Sequence, residues 1–145
     1  MEGSFVKDIM KSPVLTVNSS MSVKDAAKIM EDAKVGSIVV TENNTIVGIL
    51  TERDFVRRIV AKEKPHSIPV KEVMSSPLIV ISPNETVWEL AELMKQRRIH
   101  KVPVVDQDRL VGMVTTTDLT KLCSIGSDSE MRRICDQIIA RMKNS

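Results

Sequence analysis

The chain is one unit written twice. Shifted by 64 residues against itself without a gap, Val6–Asp54 falls on Val70–Asp118, and 13 of the 49 aligned positions are identical. Unrelated segments of average composition would share about 3. Val6-Lys7-Asp8-Ile9-Met10-Lys11-Ser12-Pro13 lies over Val70-Lys71-Glu72-Val73-Met74-Ser75-Ser76-Pro77. Val47-Gly48-Ile49-Leu50-Thr51-Glu52-Arg53-Asp54 lies over Val111-Gly112-Met113-Val114-Thr115-Thr116-Thr117-Asp118. A repeat of this length is one supersecondary unit, and about 60 residues make a marginal core alone. The fold must therefore use the same local architecture twice.

Each copy reads as β-α-β-β-α. Residues 5–10 suggest a short helical turn, stopped by Ser12-Pro13 because the residue before proline avoids the α region. Val14–Val17 is a short β-favouring run. Ser22 and Asp25 have the spacing of a helix cap and its third-position acid. Val23, Ala26, Ala27 and Met30 then recur at helical spacing. Two apolar runs, Ser37–Thr41 and Ile46–Leu50, flank the turn Glu42-Asn43-Asn44-Thr45 and predict a hairpin, with Asp106-Gln107-Asp108-Arg109 as its counterpart. A second helix is expected after Thr51. The prediction is an α+β fold of two such repeats packed sheet to sheet with pseudo-twofold symmetry. They cover residues 1–64 and 65–123, with Ala61–Pro69 as connector. Residues 124–145 form a linker and a C-terminal amphipathic helix, about Ser129–Lys143. Its apolar stripe is Met131, Ile134, Cys135, Ile138, Ile139 and Met142, with Arg132, Arg133, Arg141 and Lys143 on the other side.

Composition removes several classes of function. A net charge of +2, with two Phe, one Trp and no Tyr, offers neither the field nor the stacking platform of a nucleic-acid surface. No run approaches transmembrane length, the N-terminus has no signal-like apolar stretch, and the tail helix lacks Trp and Phe for a membrane surface. Cys123 and Cys135, outside CxxC spacing, are expected to be reduced thiols in a cytoplasmic protein. No nucleophile elbow, Walker A sequence or H-E-x-x-H is present, and Asp54 and Asp118 sit at equivalent ends of different repeats, so the chain is not expected to be an enzyme. His100 and His66 are the only histidines and have no ligand-spaced companions, so no metal site is expected.

The chemistry that remains lies in the two Thr-x-x-Asp turns. Thr51 and Thr115 stand where a strand passes into a helix. Such an end favours a phosphate through its N–H groups and dipole, and a Thr hydroxyl adds a donor. The Asp three residues later can accept from ribose hydroxyls, as acids do in dinucleotide folds. The competing reading is a helix cap with an acid in the first turn, which is compatible with binding.

The endings Gly48-Ile49-Leu50-Thr51-Glu52-Arg53-Asp54 and Gly112-Met113-Val114-Thr115-Thr116-Thr117-Asp118, each after a β-α-β-β pattern, resemble the CBS motif, named for cystathionine β-synthase. The run Ile99-His100-Lys101-Val102-Pro103-Val104-Val105-Asp106 is similar to the family's second strand. The resemblance spans roughly residues 5–122 and implies a Bateman module. That module would bind adenine nucleotides (AMP, ADP or ATP) as regulatory ligands rather than prosthetic groups. It also implies that one nucleotide site joins Thr51, Arg53 and Asp54 with Leu78, Ile79, His100 and Lys101, and that the other joins Thr115, Thr117 and Asp118 with Val14, Leu15, Gly36, Ser37 and Ile38. Arg53, His100 and Lys101 make the first the more basic, and it is expected to hold phosphate more tightly, with Lys101 as the main contact. A homodimer is implied as well, with an effector protein that the sequence does not name. Two other readings stay open: a ligand-free interaction module, and a sensor of another adenosyl ligand such as S-adenosylmethionine or NAD.

Overall fold

The structure, a computed structural model, describes residues 5–76 and 79–125, together with 132, 133, 136 and 140. Residues 132, 133, 136 and 140 of the expected tail helix are helical, while the rest of it and all of its apolar stripe lie outside the described residues, as do Pro77 and Leu78. The chain divides into two compact units, Val14–Leu78 and a second made of Met1–Pro13 with Ile79–Ser145. These units do not coincide with the sequence repeats. The segment that opens each repeat belongs with the sheet of the other.

In the unit Val14–Leu78, β1 (Thr16–Asn18) pairs in parallel with β2 (Ser37–Glu42), which pairs antiparallel with β3 (Thr45–Thr51). The turn residues Asn43 and Asn44 have φ of 52° and 64°, left-handed values that Asn tolerates and that a tight hairpin demands. Helix α2 (Val23–Ala33) starts as expected, with Ser22 Oγ accepting from Asp25 N at 3.1 Å. It ends where Lys34 turns left-handed at φ 58°. Its Val23, Ala26 and Met30 join Val17, Ile38, Val40, Leu50 and Ile59 in the core, with Val70 from the turn Val70–Glu72 and Val73 just after it. After β3 the chain enters α3 (Glu52–Asp54) and widens at once into a π-helix over Phe55–Val60, which nothing in the sequence announces.

The second unit repeats this plan. Strands β4 (Lys101–Asp106) and β5 (Arg109–Thr115) form the hairpin, with Gln107 and Asp108 at φ 49° and 66°. Helix α4 (Val87–Arg97) is capped by Thr86 Oγ1, which accepts from Glu89 N at 3.2 Å. Its Val87, Leu90, Ala91 and Met94 meet Val102, Val104, Val114, Leu119 and, from α1 (Val6–Ile9), Val6. Helix α5 (Thr116–Ile125) follows β5. One expectation fails here. The first strand of this copy shrinks to a single bridge, Ile81 to Val104. In the first copy Ser19 N extends the ladder by donating to Thr41 O at 2.9 Å. Its counterpart is Pro83, which has no N–H to give.

The two caps give a simple stability check. Ser22→Ala and Thr86→Ala should each lower unfolding free energy by about 1 kcal/mol in urea melts, with little change in the slope.

Candidate functional site

The opening segment of each repeat reaches its sheet through a glycine. A Cβ on Gly48 would lie 2.5 Å from Met74 Sδ and 3.1 Å from Ser75 O, and one on Gly112 would lie 2.5 Å from Met10 Sδ and 3.2 Å from Lys11 O. The missing side chains let Ser75 and Lys11 bridge the backbones of Ile49 and Met113. Both bridges are two-way: Ile49 N donates to Ser75 O at 3.1 Å and Ser75 N to Ile49 O at 2.9 Å, while Lys11 N and Met113 N each donate across at 2.9 Å. The repeat-equivalent Met10 and Met74 are therefore packing residues that set these approaches.

Each approach ends beside a Thr-x-x-Asp turn. At β3, Thr51 N and Thr51 Oγ1 donate to Asp54 Oδ2 at 2.9 and 3.2 Å, and Asp54 N donates back to Thr51 Oγ1 at 3.3 Å. Glu52 N donates to Gly36 O at 3.0 Å. At β5 the pattern recurs. Thr115 N and Oγ1 reach Asp118 Oδ2 at 2.9 and 3.1 Å, Asp118 N reaches Thr115 Oγ1 at 3.3 Å, and Thr116 N reaches His100 O at 3.0 Å. The carboxylates are buried, Asp54 at 4% exposure and Asp118 at 5%.

These bonds revise one argument from sequence. Backbone N–H groups at the helix start were to receive a phosphate, but three of them in each turn already have acceptors. The side chains of Arg53, Thr117, His100 and Lys101 are exposed.

The strand registers show which candidates adjoin within each unit. Ser37 pairs with Thr51, and Lys101 with Thr115. Gly36 and Ser37 therefore border the Thr51 turn, and His100 and Lys101 border the Thr115 turn. Val14 and Ile79 are half-buried and Leu15 is 44% exposed. Ile38 is buried in the first core, so only its backbone could serve a ligand. Leu78 lies outside the described residues.

Three residues that sequence reasoning missed stand at the second carboxylate oxygens. Asp54 Oδ1 accepts from Ser75 Oγ at 3.2 Å and lies 3.6 Å from Arg58 Nε. Arg58 is itself tied to the carbonyls of Val73 at 3.2 Å and Met74 at 3.0 Å. Asp118 Oδ1 has Lys11 Nζ at 3.5 Å. The signal was available in part, since Lys11 and Ser75 are repeat-equivalent and follow the paired methionines.

Two surface clefts lie elsewhere. One, about 570 Å³, is lined by Ser22, Lys24, Lys64, Pro65, His66 and Ser67, and another, about 360 Å³, has Glu85, Glu89 and Glu92 along its wall. Among the described residues no group of three or more His, Cys, Asp or Glu is set to hold a metal, and no helix is long and apolar enough to cross a membrane.

Comparison with known proteins agrees with this architecture. The model of the CBS domain matches twice, over residues 6–61 and 70–124. The CBS domain-containing protein YhcV of Bacillus subtilis is 40% identical over 116 residues, 80% of this chain and 83% of its own length. The crystal structure of the CBS domain pair of protein MJ0100, in complex with 5-methylthioadenosine and S-adenosyl-L-methionine, superposes with a TM-score of 0.75 at 32% identity, covering 83% of this chain and 96% of that one. A homoserine O-acetyltransferase of Methanohalobium evestigatum is 30% identical, over 82% of this chain but only 24% of its own length. The likeness to that enzyme is thus confined to a minor part of it. With two matches in register, each ending on a Thr-x-x-Asp turn of the same construction, the chain belongs to the CBS-domain family and carries the domain as a tandem pair.

Proposed function

We propose that this chain is a non-catalytic regulatory module that binds an adenine nucleotide, AMP, ADP or ATP, and passes the bound state to a second copy or to a protein partner. The observation that carries the reading is the pair of congruent turns. Each holds a buried carboxylate rigidly behind a strand end whose outward side chains are polar or basic. On one unit the proposed contacts are Thr51, Arg53 and Asp54, bordered by Gly36, Ser37 and the backbone of Ile38, with Val14 and Leu15 as apolar surface. On the other they are Thr115, Thr117 and Asp118, bordered by His100 and Lys101, with Ile79 as apolar surface. A carboxylate is suited to a ribose diol, an apolar surface to a purine face, and Arg53 and Lys101 to phosphate.

A second reading has specific support. The similar MJ0100 pair is described with S-adenosyl-L-methionine and 5-methylthioadenosine, adenosyl ligands without phosphate. Such a ligand would use the carboxylate and apolar surface and gain little from Lys101.

Thermal denaturation separates the two. A ligand that binds only the folded chain, at 100 times its Kd, adds about 2.7 kcal/mol, which is a rise of about 5–10 °C in Tm for a domain of this size. AMP and ATP should produce that rise, and Arg53→Ala with Lys101→Ala should reduce it while leaving the response to adenosine intact. A rise with S-adenosylmethionine alone would favour the second reading. No rise with any of them would sink both.

A further inference from the structure

The two carboxylates are not equally open to a ligand. Asp54 uses both oxygens internally: Oδ2 takes two donors from Thr51, and Oδ1 takes Ser75 Oγ and faces Arg58 Nε. An ionised carboxylate offers about four acceptor positions, and Asp54 uses three of them in hydrogen bonds, with the Arg58 guanidinium beside the fourth as an ion pair at 3.6 Å. Neither outer partner is easily displaced. Ser75 Oγ donates directly to Oδ1 at 3.2 Å, and the Arg58 side chain, although 51% exposed, is tied to two carbonyls.

Asp118 differs at one oxygen. Its Oδ2 is used as in Asp54, but among the described residues the partner at Oδ1 is Lys11 Nζ at 3.5 Å. The Lys11 side chain is 68% exposed. It is a flexible stem whose ammonium stands mostly in solvent, so it can leave while the buried carboxylate keeps its bonds from Thr115. The two repeat positions that fill the Asp54 shell, Ser75 and Arg58, are occupied here by Lys11 and Leu122, and neither brings a hydroxyl or a guanidinium.

We infer that Asp118 is the ligand carboxylate, that Asp54 is locked in a structural role by Ser75 and Arg58, and that the chain therefore binds one ribose-bearing ligand rather than two. Lys11 is the gate. It covers Oδ1 when no ligand is bound, and swings to the phosphate when a vicinal diol takes its place. This rests on the reading that the turns bind a nucleotide, and it reverses the preference for Asp54 that basic charge alone suggested.

Calorimetric titration of the full chain with AMP and with adenosine tests it. Wild type should bind one AMP per chain. Asp118→Asn, with its fold checked by circular dichroism, should lose that binding. Lys11→Met should keep one site but weaken AMP about tenfold, with adenosine unchanged. The pair Ser75→Ala and Arg58→Met should open the Asp54 turn and raise the stoichiometry to two, an arm that does not depend on Asp118→Asn folding. Two sites in wild type, one site surviving Asp118→Asn, or no second site in the double variant would overturn the inference while leaving nucleotide binding intact. Silence from AMP, ATP and adenosine in every variant would remove the nucleotide reading itself.

Discussion

Asp54→Ala should lower unfolding free energy by about 2–4 kcal/mol, one of the two largest losses expected from single substitutions outside the apolar cores. Part of the loss is the reciprocal half of the capping box, in which the Asp54 carboxylate accepts from Thr51 N, while Thr51 Oγ1 still caps the helix. The rest comes from other partners left behind. Ser75 Oγ loses its acceptor, and Arg58 keeps its carbonyl bonds but loses its counter-charge. A polar group left without a partner in a buried position costs about 1–3 kcal/mol. Asp118→Ala loses the equivalent bonds from Thr115, but its remaining partner is the exposed Lys11. It should cost less, about 1–2 kcal/mol. Urea denaturation of both variants gives the comparison. Equal losses would mean that Ser75 and Arg58 contribute nothing to the stability of the first turn.

Gly48→Ala is the second large effect, about 1–3 kcal/mol. The new methyl would stand 2.5 Å from Met74 Sδ and 2.9 Å from its Cγ, so Met74 must move. Ser75 O, at 3.1 Å, belongs to the backbone bridge with Ile49 and cannot retreat without breaking it. The double variant Gly48→Ala with Met74→Ala should recover part of the loss, since the smaller side chain vacates the space. A coupling beyond about 0.5 kcal/mol would mark the two residues as direct neighbours. Strict additivity would contradict the packing described. Gly112 and Met10 should behave alike.

Much of the fold was legible in the sequence because it is local. Ser22 with Asp25 announced α2, the Asn43–Asn44 turn announced the first hairpin, and the 64-residue register carried both predictions to the second copy. The shortened first strand of that copy has its reason in Pro83, which the repeat register passed over. What periodicity could not reveal is the exchange of opening segments. Met10 and Met74 occupy the same repeat position, so either could face Gly48 or Gly112 without altering any pattern. Only the folded chain decides that Met10 meets Gly112 and Met74 meets Gly48.

The same exchange explains what was missed at the turns. Thr51 with Asp54 and Thr115 with Asp118 are contacts three residues apart, and a spacing shows them. Ser75 and Lys11 arrive from segments distant in sequence, and Arg58 arrives on a π-helix with no sequence mark. The residues that set the two carboxylates apart are therefore those no motif contains. The registers set Lys101 beside Thr115 and Ser37 beside Thr51 within their own hairpins.

The most direct test of the account is a crystal structure of the full chain grown with AMP. The account predicts density for one nucleotide whose ribose hydroxyls lie about 2.5–3.0 Å from the Asp118 carboxylate, with Lys11 turned away from Oδ1 and the Asp54 shell unchanged. A nucleotide held at Asp54, nucleotide bound away from both Thr-x-x-Asp turns, or no nucleotide at saturating concentration would contradict it.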